Sequence, residues 1–228
     1  MKPVGSPRSS PRAAVQDGVY KQVRQALMWG EFEPGKLITL QSLADTFGTS
    51  LMPVREALRR LAAETGLEVA RGGSARVPAI SRQRLDDLCQ TRKALEGLAA
   101  ECAAARMSGE EIEACRDIAR EHERLGRNGE VYAMLRHNQA FHFAIYEKAG
   151  SDVLPPLIEM LWLRFGPYMR LLSDLVRAQM AEGSLPDYST QHFALVDALS
   201  RRDGPAARAA MVADIEATQA LLRGLCPA

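Results

Sequence analysis

Residues 49 to 64 read TSLMPVREALRRLAAE. Three arginines, Arg55, Arg59 and Arg60, fall close together, yet an apolar residue returns at every third or fourth position. Val54, Leu58 and Leu61 lie on one stripe of a helix. Arg55 and Arg59, four apart, share the outer face, and Arg60 is turned toward the flank. Pro53 is tolerated in the first turn, where its missing N–H has no helical partner. Ser50 stands where an N-cap is needed and is placed to meet a phosphate. One face of this helix holds it to its neighbours, and the other offers guanidinium groups. Such a helix suits the major groove, where arginine reaches phosphates or N7 and O6 of guanine. Taken singly, each arginine is equally an ordinary solvated charge, so the flanking sequence decides.

Upstream, apolar Val15, Val19, Val23, Ala26 and Leu27 recur at helical spacing up to Trp29, and Pro34-Gly35 breaks the pattern. A short helix follows, with Thr39 as N-cap, Leu43, Ala44 and Phe47 inward, and Gly48 as its stop. Downstream, Val69 and Arg71 alternate into Gly72-Gly73 and then Arg76-Val77, the pattern of a small hairpin carrying Arg71, Ser74 and Arg76. Two helices around a tight turn and then a hairpin is the plan of a winged helix-turn-helix, assigned to residues 15–80. Residues 1–14, rich in Pro, Ser, Gly and Arg, read as a disordered arm, either a frayed end or a basic tail on phosphates.

From Ser81 the periodicity is helical throughout, giving an all-α antiparallel bundle of six or seven helices over residues 81–228. Ser108 and Glu111 form a capping box, and Asp203 with Pro205 starts the last helix. Gly166-Pro167 is expected to break or kink the helix that begins near Asp152, and EGSLPDY, residues 182–188, reads as a loop.

The stretch GKLITLQSLADTFGTSLMPVREALRRLAAE resembles the signature of the GntR family of bacterial transcription regulators, PVREALRRL being its most specific part. The bundle resembles the FCD effector domain of the FadR branch through LCQTRKALEGLAAECAA, HNQAFHFAIYEKAGS and QHFALVDALSRRDGPAARAAM. The likeness covers about residues 15–220. It implies a cytoplasmic homodimer on an inverted-repeat operator, with DNA affinity responding to a small, usually carboxylate, metabolite. The chain departs from the family at Leu51 and Met52, where an arginine and a small hydroxyl residue are usual, and at Gln41, where a basic residue is common. Apolar contact from Leu51 or Met52 to thymine methyls is a substitute.

The resemblance also implies a divalent metal held by an Asp and three His. The matching positions are Asn138, His142, His192 and Asp214, so a carboxylate is missing at one corner and gained at another. Two imidazoles with oxygen donors suit Zn, Ni or Mn. Without the family, His142 is equally a core histidine and Asp214 a surface carboxylate. His137 and His122 fall off the pattern and are expected at the surface. Arg92 is followed by Glu96 one turn later. It is either an intrahelical ion pair or, as the family implies, a guanidinium for an effector carboxylate. Tyr168 and Arg170 are further candidates for the cavity wall, whereas Trp162, Phe165, Phe141 and Phe143 read as packing.

Composition narrows the alternatives. The net charge is +1, but residues 1–80 hold 11 Lys or Arg against 7 Asp or Glu, and residues 81–228 hold 18 against 21. An anionic partner therefore meets the first third. Cys89, Cys102, Cys115 and Cys226 form no C-x-x-C and read as reduced thiols. No apolar run is long enough to span a membrane. A metallohydrolase built on the His/Asp cluster is the rival class, but no H-E-x-x-H or G-x-S-x-G is present. A DNA-binding dimer with a purely structural bundle is the other.

Overall fold

The computed structural model describes residues 11–182 and 188–227. Residues 183–187 of the expected loop and 1–10 of the expected arm lie outside these residues. Helix α1 covers Pro11–Met28, beginning ahead of the expected Val15. Strand β1 (Leu37–Ile38), α2 (Leu40–Phe47), α3 (Leu51–Ala63), β2 (Glu68–Val69) and β3 (Ala75–Arg76) complete the first group. Thr39 caps α2 by accepting from the Ser42 N–H at 3.1 Å, and Gly48 ends it in the left-handed conformation at φ 58°. Ser50 holds the N-cap position of α3 but makes no side-chain cap hydrogen bond, which leaves its exposed hydroxyl uncommitted.

The hairpin forms with a single 3-10 turn at Arg71–Gly73, where Gly72 and Gly73 supply positive φ. It also has a third strand that the sequence pattern did not suggest. Strand β1 pairs antiparallel with β3, Leu37 opposite Arg76 and Ile38 opposite Ala75, giving the order β1-β3-β2. Two residues are too short a run to show an alternation.

Six helices follow: α4 (Arg82–Ala104), α5 (Gly109–Arg127), α6 (Val131–Tyr146), α7 (Leu154–Ala181), α8 (Thr190–Ser200) and α9 (Gly204–Leu225). The capping box at Ser108 and Glu111 forms in both directions, and Asp203 caps α9 through the Ala206 N–H. Helix α4 packs along α9, α5 on α6, and α8 on α9, with α7 crossing α4 and α6. The expectation of a break at Gly166-Pro167 is corrected, because α7 runs unbroken through both residues. Tertiary packing overrides the local preference. Trp162, Leu163, Phe165, Tyr168 and Met169 are all buried around the proline, and α1 lies directly against Gly166.

That contact is close. A Cβ at Gly166 would lie 2.2 Å from the Leu27 carbonyl oxygen, and one at Gly30 would lie 2.3 Å from the Arg170 backbone nitrogen. Trp29 Nε1 donates to Gln139 at 2.7 Å, and Arg24 bridges Glu64 and Glu159. Helix α1 therefore holds the helix-turn-helix on one side and the bundle on the other. All four cysteines are free thiols, and no helix of the described residues is long and apolar enough to cross a membrane.

Two glycines give opposite outcomes. Gly166→Ala should cost about 1–3 kcal/mol, because backbone atoms on both sides must move. Gly224→Ala, inside α9 with nothing within 4 Å of the added methyl, should stabilise by about 0.5–1 kcal/mol. Denaturant unfolding of the two variants beside wild type checks both signs.

Candidate functional site: an arginine surface and a polar cavity

Buried Pro53, Val54, Ala57, Leu58 and Leu61 seat α3 against α1 and α2. Its opposite face is open. Arg55 is exposed and makes no ion pair among the described residues. Arg59 is exposed and bound to Glu56, both carboxylate oxygens 3.2 Å from Nη1. Arg60 lies over the Tyr20 ring at 3.5 Å and pairs with Asp17 and Glu64, so it serves the α1–α3 contact. The wing stands next to the open end of α3, since a Cβ at Gly73 would be 3.7 Å from Arg55 Nε. Arg71 is exposed without an ion pair among the described residues, Ser74 is half-buried, and Arg76 donates to the Gly35 carbonyl at 2.8 Å. Leu51 and Met52 are exposed at the start of α3, and Gln41 donates to Asp45 at 2.8 Å.

Within the bundle, α6 carries Asn138, His142 and Tyr146 at four-residue intervals. Helix α8 supplies His192, α9 supplies Asp214, α4 supplies Arg92 and Glu96, and α5 supplies His122. Ligand atoms of His142, His192 and Asp214 lie within 4.8 Å of one another. His142 Nε2 is 3.3 Å from Asp214 Oδ2, and His192 Nε2 is 3.7 Å from Oδ1. Burial pushes the Asp214 carboxyl up, but His142's hydrogen bond and the charges of His192, His142 and Arg92 outweigh it and hold it down at about 2. His142, Asp214 and the half-buried Asn138 line one cavity, and His192 packs behind them with its ring 5.2 Å from that of His142.

The cavity offers about 40 Å³ to the centres of water-sized groups. At roughly 10–15 Å³ per water this is room for an ion and a few small groups. Its walls mix Arg92, Tyr188 and Thr218 with apolar Met134, Leu135, Met169, Leu172, Val176 and Ile215. Both readings of Arg92 apply. It lines the cavity, and it is also paired with Glu96, Nε to Oε1 at 2.7 Å and Nη2 to Oε2 at 3.3 Å. Its guanidinium carbon lies 4.3 Å from the Phe165 ring centroid and 4.9 Å from that of Trp162. Glu96 also accepts from the Tyr146 hydroxyl, which stands 3.1 Å from His142 Nδ1. Burial first, and then the Glu96 charge, pushes the Tyr146 phenol well above its usual value, so it keeps its proton.

Some placements differ from the sequence reading. Tyr168 and Arg170 are not on the cavity wall. The Tyr168 hydroxyl donates to the Ser81 carbonyl at 2.9 Å and accepts from its N–H, pinning the start of α4. Arg170 pairs with Asp174 at 2.9 Å. Trp162 and Phe165, read as packing, do line the cavity. His122 is buried rather than at the surface, with its ring 4.7 Å from that of His192 and Nδ1 3.0 Å from Ser189 Oγ. It continues the stripe of Ile112, Cys115 and Ala119 along α5, which was the available signal. His137 is half-buried against the Ala133 carbonyl. Tyr146 was also missed, although it lies one turn past His142 on the same face.

An exposed helix-turn-helix with a small sheet, ahead of a helical bundle enclosing a His/Asp cluster, defines a two-part protein with a DNA-binding unit and a helical domain. The GntR family of bacterial regulatory proteins matches at residues 15–77 and the FCD domain at 87–217. The chain belongs to the GntR-family transcriptional regulators that carry an FCD domain. It is 26% identical to the HTH-type transcriptional regulator McbR of Escherichia coli, with 81% of this chain and 82% of that protein covered. It is 30% identical to the HTH-type transcriptional repressor GlaR of Escherichia coli, with 81% and 84% covered. The solved structure of Escherichia coli McbR/YncC superposes with a TM-score of 0.85 at 25% identity, over 92% of this chain and 98% of that one.

The buried ion pair yields a stability prediction. Glu96→Ala should cost about 3–5 kcal/mol, because Arg92 is left buried and uncompensated. The double variant Arg92→Met/Glu96→Leu should recover most of that loss in urea unfolding.

Proposed function

We propose that this regulator binds an inverted-repeat operator as a homodimer and releases or engages it in response to a small carboxylate metabolite. A divalent ion, Zn, Ni or Mn, sits among Asn138, His142, His192 and Asp214. The observation that carries this is the convergence of His142, His192 and Asp214 beside a cavity that His142, Asp214 and Arg92 line. Two imidazoles and a carboxylate, with an amide oxygen beside them, fit such an ion. When bound, the ion supplies positive charge that attracts an anionic ligand. The Glu96 pair uses Arg92 Nε and Nη2, which leaves Nη1 as the donor for the same ligand. A small acid matches the cavity's size.

On DNA, Arg55 and Arg59 read or flank bases, with Leu51 and Met52 against thymine methyls. Ser50, Gln41, Arg71, Ser74 and Arg76 meet phosphates. Arg55 and Arg71 are the strongest assignments, since neither is held by an acidic partner among the described residues. The two-fold dimer sets matching half-sites.

Gel shifts on the operator separate these roles. Arg55→Ala should weaken specific binding by about 1–3 kcal/mol, while Arg71→Ala should weaken all sequences alike and reduce the salt slope by about 1. Equal binding by wild type and Arg55→Ala would remove Arg55 from base reading. Metal analysis of the purified protein tests the cavity. Asn138→Asp should bind the ion more tightly, since it restores a charged donor. Small organic acids should raise Tm of the loaded protein. Protein that takes up no divalent ion and shows no thermal shift would leave the bundle a structural dimerisation unit.

A further inference from the structure

We propose that Tyr146, anchored by the buried Arg92–Glu96 pair, positions His142 for metal binding by accepting the proton of Nδ1, so that Nε2 is the nitrogen turned to the ion. This rests on the metal reading above and extends it to residues outside the ligand set.

The direction of each hydrogen bond follows from the donor inventory. A carboxylate only accepts, and Glu96 accepts from Arg92 Nε, Arg92 Nη2 and the Tyr146 hydroxyl. A phenol has one proton to give. With that proton committed to Glu96, the Tyr146 oxygen can only accept from His142 Nδ1, 3.1 Å away. Nδ1 therefore carries a proton. The other ring nitrogen, Nε2, faces Asp214 Oδ2 at 3.3 Å. With Nδ1 protonated, a neutral ring turns a lone pair from Nε2 toward a carboxylate oxygen. That arrangement calls for a cation between the two atoms, either a proton or a metal ion, and the ion replaces the proton when it binds.

The anchor is rigid. Arg92, Glu96, Tyr146 and His142 are all buried, and the Arg92 guanidinium is pressed against Phe165 and Trp162. The chain of contacts runs from Arg92 through Glu96 and Tyr146 to the far side of a metal ligand. A hydrogen bond from a ligating imidazole's other nitrogen fixes both its tautomer and its ring orientation. Tyr146 and Glu96 are thus positioning residues. Tyr146 is also the residue that makes a single His142 tautomer the stable one.

The experiment uses full-length protein with 15N-labelled histidine, metal-free and zinc-loaded, and reads the tautomer of His142 by long-range proton–nitrogen correlation. The expected wild-type result is a protonated Nδ1 in both states and zinc on Nε2. Competition titration with a zinc chelator should show that Tyr146→Phe binds zinc about 10–100-fold more weakly. Zinc bound through Nδ1, an unprotonated Nδ1, or a folded Tyr146→Phe variant losing less than tenfold in zinc affinity would overturn the proposal. The wild-type tautomer needs no variant and decides the matter even if Tyr146→Phe fails to fold. If wild type takes up no zinc, the metal reading fails by itself, and the protonation of Nδ1 in metal-free protein still tests the role of Tyr146.

Discussion

A guanidinium buried in a helical bundle keeps its charge and must be answered by a fixed negative group. Arg92 is only 5% exposed and lies against two aromatic rings. Glu96, one turn along α4, is the answer, and its remaining acceptor capacity draws in the Tyr146 hydroxyl from α6. Tyr146 in turn meets His142, and His142 meets Asp214 on α9. Three helices are thereby tied through one polar chain in a mainly apolar core. Polar groups buried at this depth stabilise only when each finds a partner, so the chain specifies how α4, α6 and α9 register against one another.

Helix α7 joins this interior to the DNA-binding part. Trp162, Phe165, Met169, Leu172 and Val176 present one face to the cavity. The backbone at Gly166 and Arg170 presents another to α1, at separations that leave no room for an added side chain atom. A Cβ at Gly66, just past α3, would be 2.7 Å from the Leu163 side chain. The same helix is thus wall and docking surface. Its continuity through Pro167 follows from the buried side chains that pack on either side of the proline.

The DNA-binding half was largely legible in the sequence, because its signals are local. Thr39, Gly48 and Pro53 act within a turn of where they stand, and the Val54, Leu58 and Leu61 stripe sets the buried face of α3 directly. The bundle's helices were legible for the same reason, with caps at Ser108 and Asp203 marking two starts. The expected break at Gly166-Pro167 did not follow, since whether a proline interrupts a helix depends on what packs around it. The cavity was legible only in part. Spacing places Asn138, His142 and Tyr146 on one face, but which face looks inward is set by α4, α5 and α7, the helices packed against α6. For that reason the sequence points Tyr168 and Arg170 to a wall they do not line, and His122 to a surface where it does not lie.

The metal reading makes the His142, His192 and Asp214 cluster the cation site of the bundle. The most direct measurement is X-ray absorption at the zinc edge on zinc-loaded full-length protein. The account predicts a first shell of nitrogen and oxygen only, with nitrogen at about 2.0–2.1 Å and outer-shell scattering from two imidazole rings. A first shell containing sulfur, drawn from the free thiols, or a failure to retain zinc at all, would contradict it.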